Sequence, residues 1–109
     1  MPISPIMTWA SGYYDNIQRK FYIRKNSVLN FDVSPIYAFS QANIRRLNII
    51  SKYCKVTDNG YLVLNEIECE TPTAAAFYVI GYPTDGWIFW VDSNKKNLQE
   101  IYRNFENIT

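Results

Sequence analysis

Hydrophobic and polar residues alternate in three stretches of the chain, a pattern typical of β-strands with one buried face. Residues 21–25 and 29–33 alternate on either side of Asn26-Ser27, so the spacing predicts a hairpin. A third alternation begins at Tyr61, after the turn signal Asp58-Asn59-Gly60, and continues through residues 66–70. In that last run the glutamates point outward, and the residues between them point into the core.

Helical spacing predicts a first helix after Ser40, which is a suitable N-cap. One face of this helix carries residues expected to be buried: Ile44, Leu47, Ile50, Ser51 and Cys54. The opposite face carries the basic residues Arg45, Arg46 and Lys52. The pattern predicts an amphipathic helix with a basic outer face.

Two further helices are indicated by their capping residues. Thr71 is a candidate N-cap, Pro72 suits the first helical position, and Gly81 can end the helix in a left-handed conformation. Because residues 74–80 are apolar on all sides, this alanine-rich helix is expected at the centre of the fold. The last helix begins near Asn97, with Glu100 completing a capping box.

Residues 87–91 are predicted to form a strand. Its alternation places Trp87 with Phe89 and Val91 in the core, and leaves Trp90 partly exposed. Residues 1–11, which include Pro2 and Pro5, are predicted to form an extended arm anchored by Trp9. The predicted fold is therefore α+β, a mainly antiparallel sheet of about four strands with three helices, in a single small domain over residues 12–109.

Length and composition restrict the function classes. The 109 residues are 48% hydrophobic, enough for one folded domain but with no apolar run long enough to span a bilayer. With neither a signal peptide nor a membrane span, the chain is expected to be cytoplasmic. It has no histidine and only two cysteines, so we expect no zinc site, no other metal, no cofactor and no enzymatic activity. The Glu66/Glu68/Glu70 row could hold a divalent cation, but a solvated strand face is the favoured interpretation.

Charge is distributed unevenly along the chain. Up to Lys55 there are eight basic residues against two acidic ones, and beyond it three against eight. Either the folded molecule keeps this polarity, or folding interleaves the two halves into a mixed surface.

One segment resembles a known family. Its residues are Thr71-Pro72-Thr73-Ala74-Ala75-Ala76, then Gly81, then Asp85-Gly86-Trp87 and Trp90. We call them the alanine-helix signature. They resemble the Ser-Pro-Ser-Ala-Ala-Ala, Gly, Asn-Gly-Trp and Trp signature of a small bacterial domain of unknown function. That domain is found with GIY-YIG nucleases and restriction-modification systems, and is related to the RAMA (restriction enzyme adenine methylase-associated) domain. Weaker likenesses extend the resemblance over residues 12–102.

The resemblance implies either recognition of modified or modification-adjacent DNA in a restriction or modification context, or a role in contacts within such systems, without chemistry of its own. We carry over Thr71, Thr73, Asp85, Gly86, Trp87 and Trp90. With Tyr82, the outward tryptophan and the start of the alanine-rich helix would form an aromatic shelf able to stack a base and seat a phosphate. The alternative interpretation is that these residues only cap helices and fill the core.

Two functions from different classes follow. The first is a nucleic-acid-binding accessory domain whose phosphate contacts come from Arg19, Lys20, Arg24, Lys25, Arg45, Arg46 and Lys52. It requires those charges to meet on one face. The second is a stand-alone protein-interaction module or small inhibitor, acting on a partner protein or as a homodimer.

Overall fold

A computed structural model describes residues 2–3 and 10–102. Within that part of the chain the strands are β1 (Pro2–Ile3), β2 (Ala10–Asp15), β3 (Lys20–Ile23), β4 (Val28–Leu29), β5 (Cys54–Val56), β6 (Tyr61–Val63) and β7 (Ile67–Cys69). The helices are a 3-10 turn (Pro35–Tyr37), α1 (Gln41–Tyr53), α2 (Pro72–Ile80), α3 (Gly86–Phe89) and α4 (Leu98–Tyr102).

The strands form two antiparallel sheets. The first has the order β1-β2-β3-β7, in which β1 is a two-residue extension, and the second has the order β4-β6-β5. The prediction of a single α+β domain with antiparallel pairing is confirmed. The predicted sheet of about four strands is only roughly matched, because strands that looked consecutive along the chain belong to two different sheets. The described residues form four α-helices where three were predicted.

The predicted hairpin across Asn26-Ser27 does not form. Strand β3 pairs with β2 and β7, whereas β4 pairs with β6. The buried Ser27 explains the change of sheet, since its hydroxyl accepts a hydrogen bond from the Ser11 N–H and its carbonyl accepts one from the Val63 N–H. One residue is thereby tied to both sheets, and the chain crosses between them instead of reversing.

The first sheet also includes part of the predicted arm. β2 begins at the buried residue Ala10 and pairs with β1 through Pro2 opposite Ser11 and Ile3 opposite Ala10. The predicted boundary between residues 11 and 12 therefore falls inside a strand. The predicted anchor Trp9 lies outside the described residues.

Helix α1 begins as predicted, with the Ser40 hydroxyl accepting a hydrogen bond from the Asn43 N–H. Its buried face differs from the predicted one, although Ile50 is buried as expected. Arg46 is 1% exposed, while Ile44 and Leu47 are 45% and 50% exposed. The guanidinium can be buried because main-chain carbonyls of other elements receive its hydrogen bonds.

Helix α2 is the centre of the molecule, as predicted. Thr71 caps it through the Ala74 N–H, and Gly81 ends it with φ 81°. Ala75 and Ala76 are fully buried, which lets α2 pack against α1 and α3 and against strands of both sheets. Small side chains permit this close approach of several backbones.

The chain after the loop at residues 82–85 is helical rather than extended. The Asp85 carboxylate accepts a hydrogen bond from the Trp87 N–H and begins α3, a single helical turn. Residues 87–91 are all apolar, and an apolar run of five residues is too short to distinguish a strand from a capped helical turn. The predicted capping box of Asn97 and Glu100 is confirmed before α4.

Across the described residues, every helix is too short or too polar to cross a bilayer.

Candidate functional site

An open cleft of about 440 Å³ lies where the end of β2, the start of α2, and helices α3 and α4 come together. It is lined by Tyr14, Asn16, Arg19, Thr71, Pro72, Trp87 and Tyr102. These residues come from five different parts of the chain, so only the folded molecule contains the site. We call it the aromatic cleft.

Three aromatic rings give the cleft its character. The Tyr14 ring lies 5.1 Å from the Trp87 ring and 5.1 Å from the Tyr102 ring, both in edge-to-face geometry. All three side chains are half-buried, so part of each is accessible from the cleft. Such a cluster holds its rings in fixed orientations and can accept a planar ligand ring by stacking.

A cation stands at the rim of the cleft. Arg19 is exposed and takes a left-handed conformation, φ 58°, in the turn between β2 and β3. The turn is fixed by Asp15, whose carboxylate accepts hydrogen bonds from Ile17 N–H at 2.9 Å and Gln18 N–H at 3.1 Å. The Asp15 carbonyl accepts a third from Arg19 N–H at 2.7 Å. The guanidinium therefore extends from a well-ordered turn.

The start of α2 forms another part of the cleft wall, through Thr71 and Pro72. The N-terminal end of a helix carries partial positive charge and favours anions. Arg19 and this helix end are the two features of the cleft that favour a negative group. The cleft therefore combines aromatic surface with a place for a negative group.

The structure distributes the predicted phosphate-binding residues over several surfaces. Arg19 and Lys20 stand at one end of β3, and Arg24 and Lys25 follow its other end, about 13 Å away along a strand of this length. Two others, Arg45 and Lys52, are exposed on α1. Since the seventh residue, Arg46, is buried, the seven charges do not all meet on one face.

Arg46 is removed from the predicted set. Its side chain is buried, and its Nε donates to the Tyr78 carbonyl at 2.9 Å while an Nη donates to the Asn30 carbonyl. It cannot reach a phosphate without leaving the core. Burial also lowers the pKa of its guanidinium.

The predicted exposure of Trp90 is wrong. Trp90 is fully buried, its indole Nε1 donates to the Pro72 carbonyl at 3.0 Å, and its ring lies 4.2 Å from the Phe21 ring. Trp87, predicted to be the core residue, is the tryptophan that lines the cleft. The two indoles have exchanged roles because residues 86–89 form a helical turn, to which strand alternation does not apply.

Most other residues of the alanine-helix signature join α3 to α2. The Thr73 hydroxyl accepts a hydrogen bond from the Gly86 N–H at 3.0 Å, and a Cβ on the buried Gly86 would collide with the Pro72 carbonyl. Asp85 caps α3. Packing and capping therefore account for these residues, as the alternative interpretation expected. Tyr82, predicted for the shelf, is 52% exposed and does not line the cleft.

Sequence reasoning identified Thr71 and Arg19 but missed the aromatic residues. Tyr14 and Tyr102 carry no local signal of a site, since each fits its own strand or helix. Trp87 could have been found from Asp85-Gly86, because an aspartate two residues before it is an N-cap signal.

Other reactive groups are held in unreactive environments. Burial raises the pKa of the Cys54 thiol to about 11 and raises that of Cys69 further, so neither forms a thiolate at neutral pH. In the described part of the chain, no three cysteine, aspartate or glutamate side chains are grouped to hold a metal ion.

The glutamate row belongs to an ordered, solvent-facing sheet surface. The Tyr13 hydroxyl donates to Glu66 at 3.0 Å, the Tyr22 hydroxyl donates to Glu68 at 3.2 Å, and the two tyrosine rings stack 5.0 Å apart. Desolvation and these hydrogen bonds to carboxylates raise the pKa of both tyrosines. Glu66 and Glu68 are thus engaged with tyrosines on an exposed face.

Comparison with known proteins identifies one family. The model of a family described as "Domain of unknown function (DUF4357)" matches residues 6–102. No curated protein and no solved structure shows a significant match.

Proposed function

The chain belongs to the DUF4357 family, a domain of unknown function, and we propose that it is a non-enzymatic nucleic-acid-binding domain that stacks an unpaired base in the aromatic cleft. The observation that carries this proposal is the grouping of Tyr14, Trp87 and Tyr102 beside the exposed Arg19. Aromatic surface and a cation at one site match the two parts of a nucleotide.

The size of the cleft supports a single nucleotide. Its volume of about 440 Å³ is at the small end of the roughly 300 to 1,000 Å³ typical of ligand sites. A base stacked on an aromatic side chain contributes roughly 1 to 3 kcal/mol with little preference for its identity. A paired base inside a duplex cannot present its face, so the cleft suits single strands or a displaced base.

The electrostatics support a phosphate beside that base. Arg19 lies at the rim, and the N-terminal end of α2 adds a favourable field. The chain as a whole carries a net charge of only +1, so tight non-specific binding to a long polyanion is not expected. Affinity should come from this one site.

The resemblance of the alanine-helix signature to the RAMA-related domain extends the proposal to DNA in a restriction or modification context. A cleft that holds a base outside the stack could read its exposed edge. The high pKa values of both thiols agree with a binding role rather than nucleophilic catalysis.

The test is fluorescence anisotropy of a labelled single-stranded oligothymidine, compared with an abasic strand of equal length and charge. We expect salt-dependent binding at about 50 mM salt that weakens for the abasic strand. Arg19→Ala should weaken binding, whereas Lys52→Ala, which removes the same charge from α1, should not. No binding at low salt, or equal losses in both variants, would contradict the proposal.

A second candidate function, protein interaction, is favoured by one exposed surface. Residues 33–57 contain no acidic residue, and five large apolar side chains there are solvent-exposed: Ile36, Phe39, Ile44, Leu47 and Val56. Ile44 and Leu47 lie one turn apart on α1, and the exposed Arg45 follows Ile44. An acidic amphipathic helix of a partner protein would complement this surface.

This alternative has its own test. A synthetic amphipathic peptide with leucine anchors flanked by glutamates should bind the protein and lose affinity for Leu47→Glu, but not for Ile88→Glu on α3. Sedimentation equilibrium would show whether the same face instead joins two copies. A peptide that binds both variants equally would exclude the α1 surface.

A further inference from the structure

We propose that the turn between β2 and β3 is a wedge for duplex DNA, in which Ile17 enters the base stack while the displaced base occupies the aromatic cleft. This inference rests on the proposed nucleic-acid-binding function and names its substrate as a duplex containing a weak or unpaired base.

Ile17 is an exposed apolar residue in the turn between β2 and β3. Its side chain is 93% exposed, so it is available to a partner and its replacement should leave the fold intact. The tip is held by three hydrogen bonds to Asp15, two to the carboxylate and one to the carbonyl. The isoleucine is therefore presented on a fixed support.

The tip belongs to the same edge of the molecule as the cleft. Asn16 and Arg19, the residues on either side of Ile17 and Gln18, both line the aromatic cleft. A base leaving the stack next to Ile17 would meet the cleft wall that Asn16 and Arg19 form. The turn that carries Ile17 is therefore adjacent to the aromatic cleft.

The arrangement matches the physical requirements of base displacement. A base within an intact duplex can reach the cleft only after it leaves the base stack. Its departure opens a gap in the stack, which a side chain of the protein can fill. Proteins that unstack base steps insert apolar side chains such as isoleucine between them. Arg19 and Lys20, immediately after the tip, are placed to contact phosphates flanking the opened step.

A membrane surface is the other partner that an exposed isoleucine beside two cations could contact. Interfacial binding normally uses the apolar face of an amphipathic helix. Here one side chain projects from a hairpin tip, and the cleft beside it has no role at a bilayer. The duplex is therefore the favoured partner.

The test compares Ile17→Ser with Ile36→Ser, which removes an isoleucine that is 85% exposed on the 3-10 turn. Wild type and both variants are titrated with a single-stranded DNA and with a duplex in which 2-aminopurine stands in a mismatched pair. Wild type should bind both ligands and change the 2-aminopurine emission. Ile17→Ser should keep single-strand affinity within about twofold but lose about tenfold in duplex affinity, together with the emission change. Ile36→Ser should behave as wild type.

Each other outcome is decisive. Equal behaviour of the two variants, or single-strand binding with no duplex binding by wild type, overturns the wedge and leaves the proposed function standing. Absence of binding to either nucleic acid overturns both. Binding to phosphatidylserine vesicles that is lost in Ile17→Ser, without a duplex effect, assigns the tip to a membrane and overturns the wedge. Circular dichroism melts confirm that both variants are folded.

Discussion

The Nε of Arg46 on α1 donates a hydrogen bond to the carbonyl oxygen of Tyr78 on α2 at 2.9 Å. The last carbonyls of a helix have no partner within the helix. In α2, each of the last four carbonyls, those of residues 77–80, accepts a hydrogen bond. Arg46 donates to Tyr78, the Gly81 N–H donates to residue 77, and Asn30 donates to residues 79 and 80 through its main-chain N–H and its side-chain amide. A buried cation at the negative end of the central helix thus couples α1, α2 and the chain before them.

Replacing Arg46 should destabilise the fold. Arg46→Met retains much of the volume but leaves the Tyr78 and Asn30 carbonyls without this donor, at a cost of roughly 1 to 3 kcal/mol for each buried group. Arg45→Met, its exposed neighbour, should change the free energy of unfolding by no more than about 0.5 kcal/mol. Urea denaturation of the two variants measures the difference. Equal midpoints would mean that Arg46 is not held in the core.

Replacing Trp90 should destabilise the fold more than replacing Trp87, which is the reverse of what a strand over residues 87–91 would predict. Trp90→Ala should cost roughly 3 to 5 kcal/mol because it empties a buried site against Phe21 and removes the donor to the Pro72 carbonyl. Trp87→Ala should cost less, since the indole is half-buried in the cleft wall. Thermal melts and acrylamide quenching of single-tryptophan variants test both statements. A larger loss in Trp87→Ala would reverse the assignment.

Enlarging Ala75 should strain the centre of the molecule. Ala75 is fully buried in α2, so Ala75→Leu should overfill the site and destabilise by roughly 1 to 3 kcal/mol. The matched change Ala74→Leu, one position earlier and partly exposed, should cost less. Differential scanning calorimetry gives both melting temperatures. An unchanged melting temperature for Ala75→Leu would contradict close packing of α2.

The thiol of Cys54 gives a pH prediction. Its pKa is raised from 9.0 to about 11, with burial as the main cause. The folded protein therefore holds this proton when the unfolded chain has lost it, so the contribution to stability is full below pH 9 and falls as the pH rises toward 11. Native Cys54 should accordingly react with iodoacetamide slowly at pH 8 and faster near pH 11.

The control for this prediction is the same protein in denaturant, where the thiol should react as an ordinary cysteine. Cys54→Ser should flatten the loss of stability between pH 9 and 11. Rapid alkylation of native Cys54 at pH 8 would show that the site is open to solvent.

The sequence by itself determined the elements whose signals are local. Ser40, Thr71 and Gly81 begin or end their helices as predicted, and residues 66–70 place Ile67 and Cys69 inward. Caps and turns act through hydrogen bonds and dihedral angles within a few residues, so their effect can be predicted without knowing the rest of the fold. For the same reason Thr71, at the start of α2, could be anticipated, whereas Arg19 was identified by its charge alone and its turn only by the structure.

Tertiary structure alone decided which side of an element is buried and which strands pair. The carbonyls at the end of α2 draw Arg46 into the core and leave Leu47 exposed, a choice that depends on a helix about thirty residues away. The Asp85 cap and the packing of Gly86 against Pro72 make residues 86–89 helical and bring Trp87, rather than Trp90, to the cleft. The aromatic cleft could not be predicted because Tyr14, Trp87 and Tyr102 come together only through contacts between elements that are distant in the sequence. Hydrophobic periodicity indicates which face of an element is buried, but not which other element packs against that face.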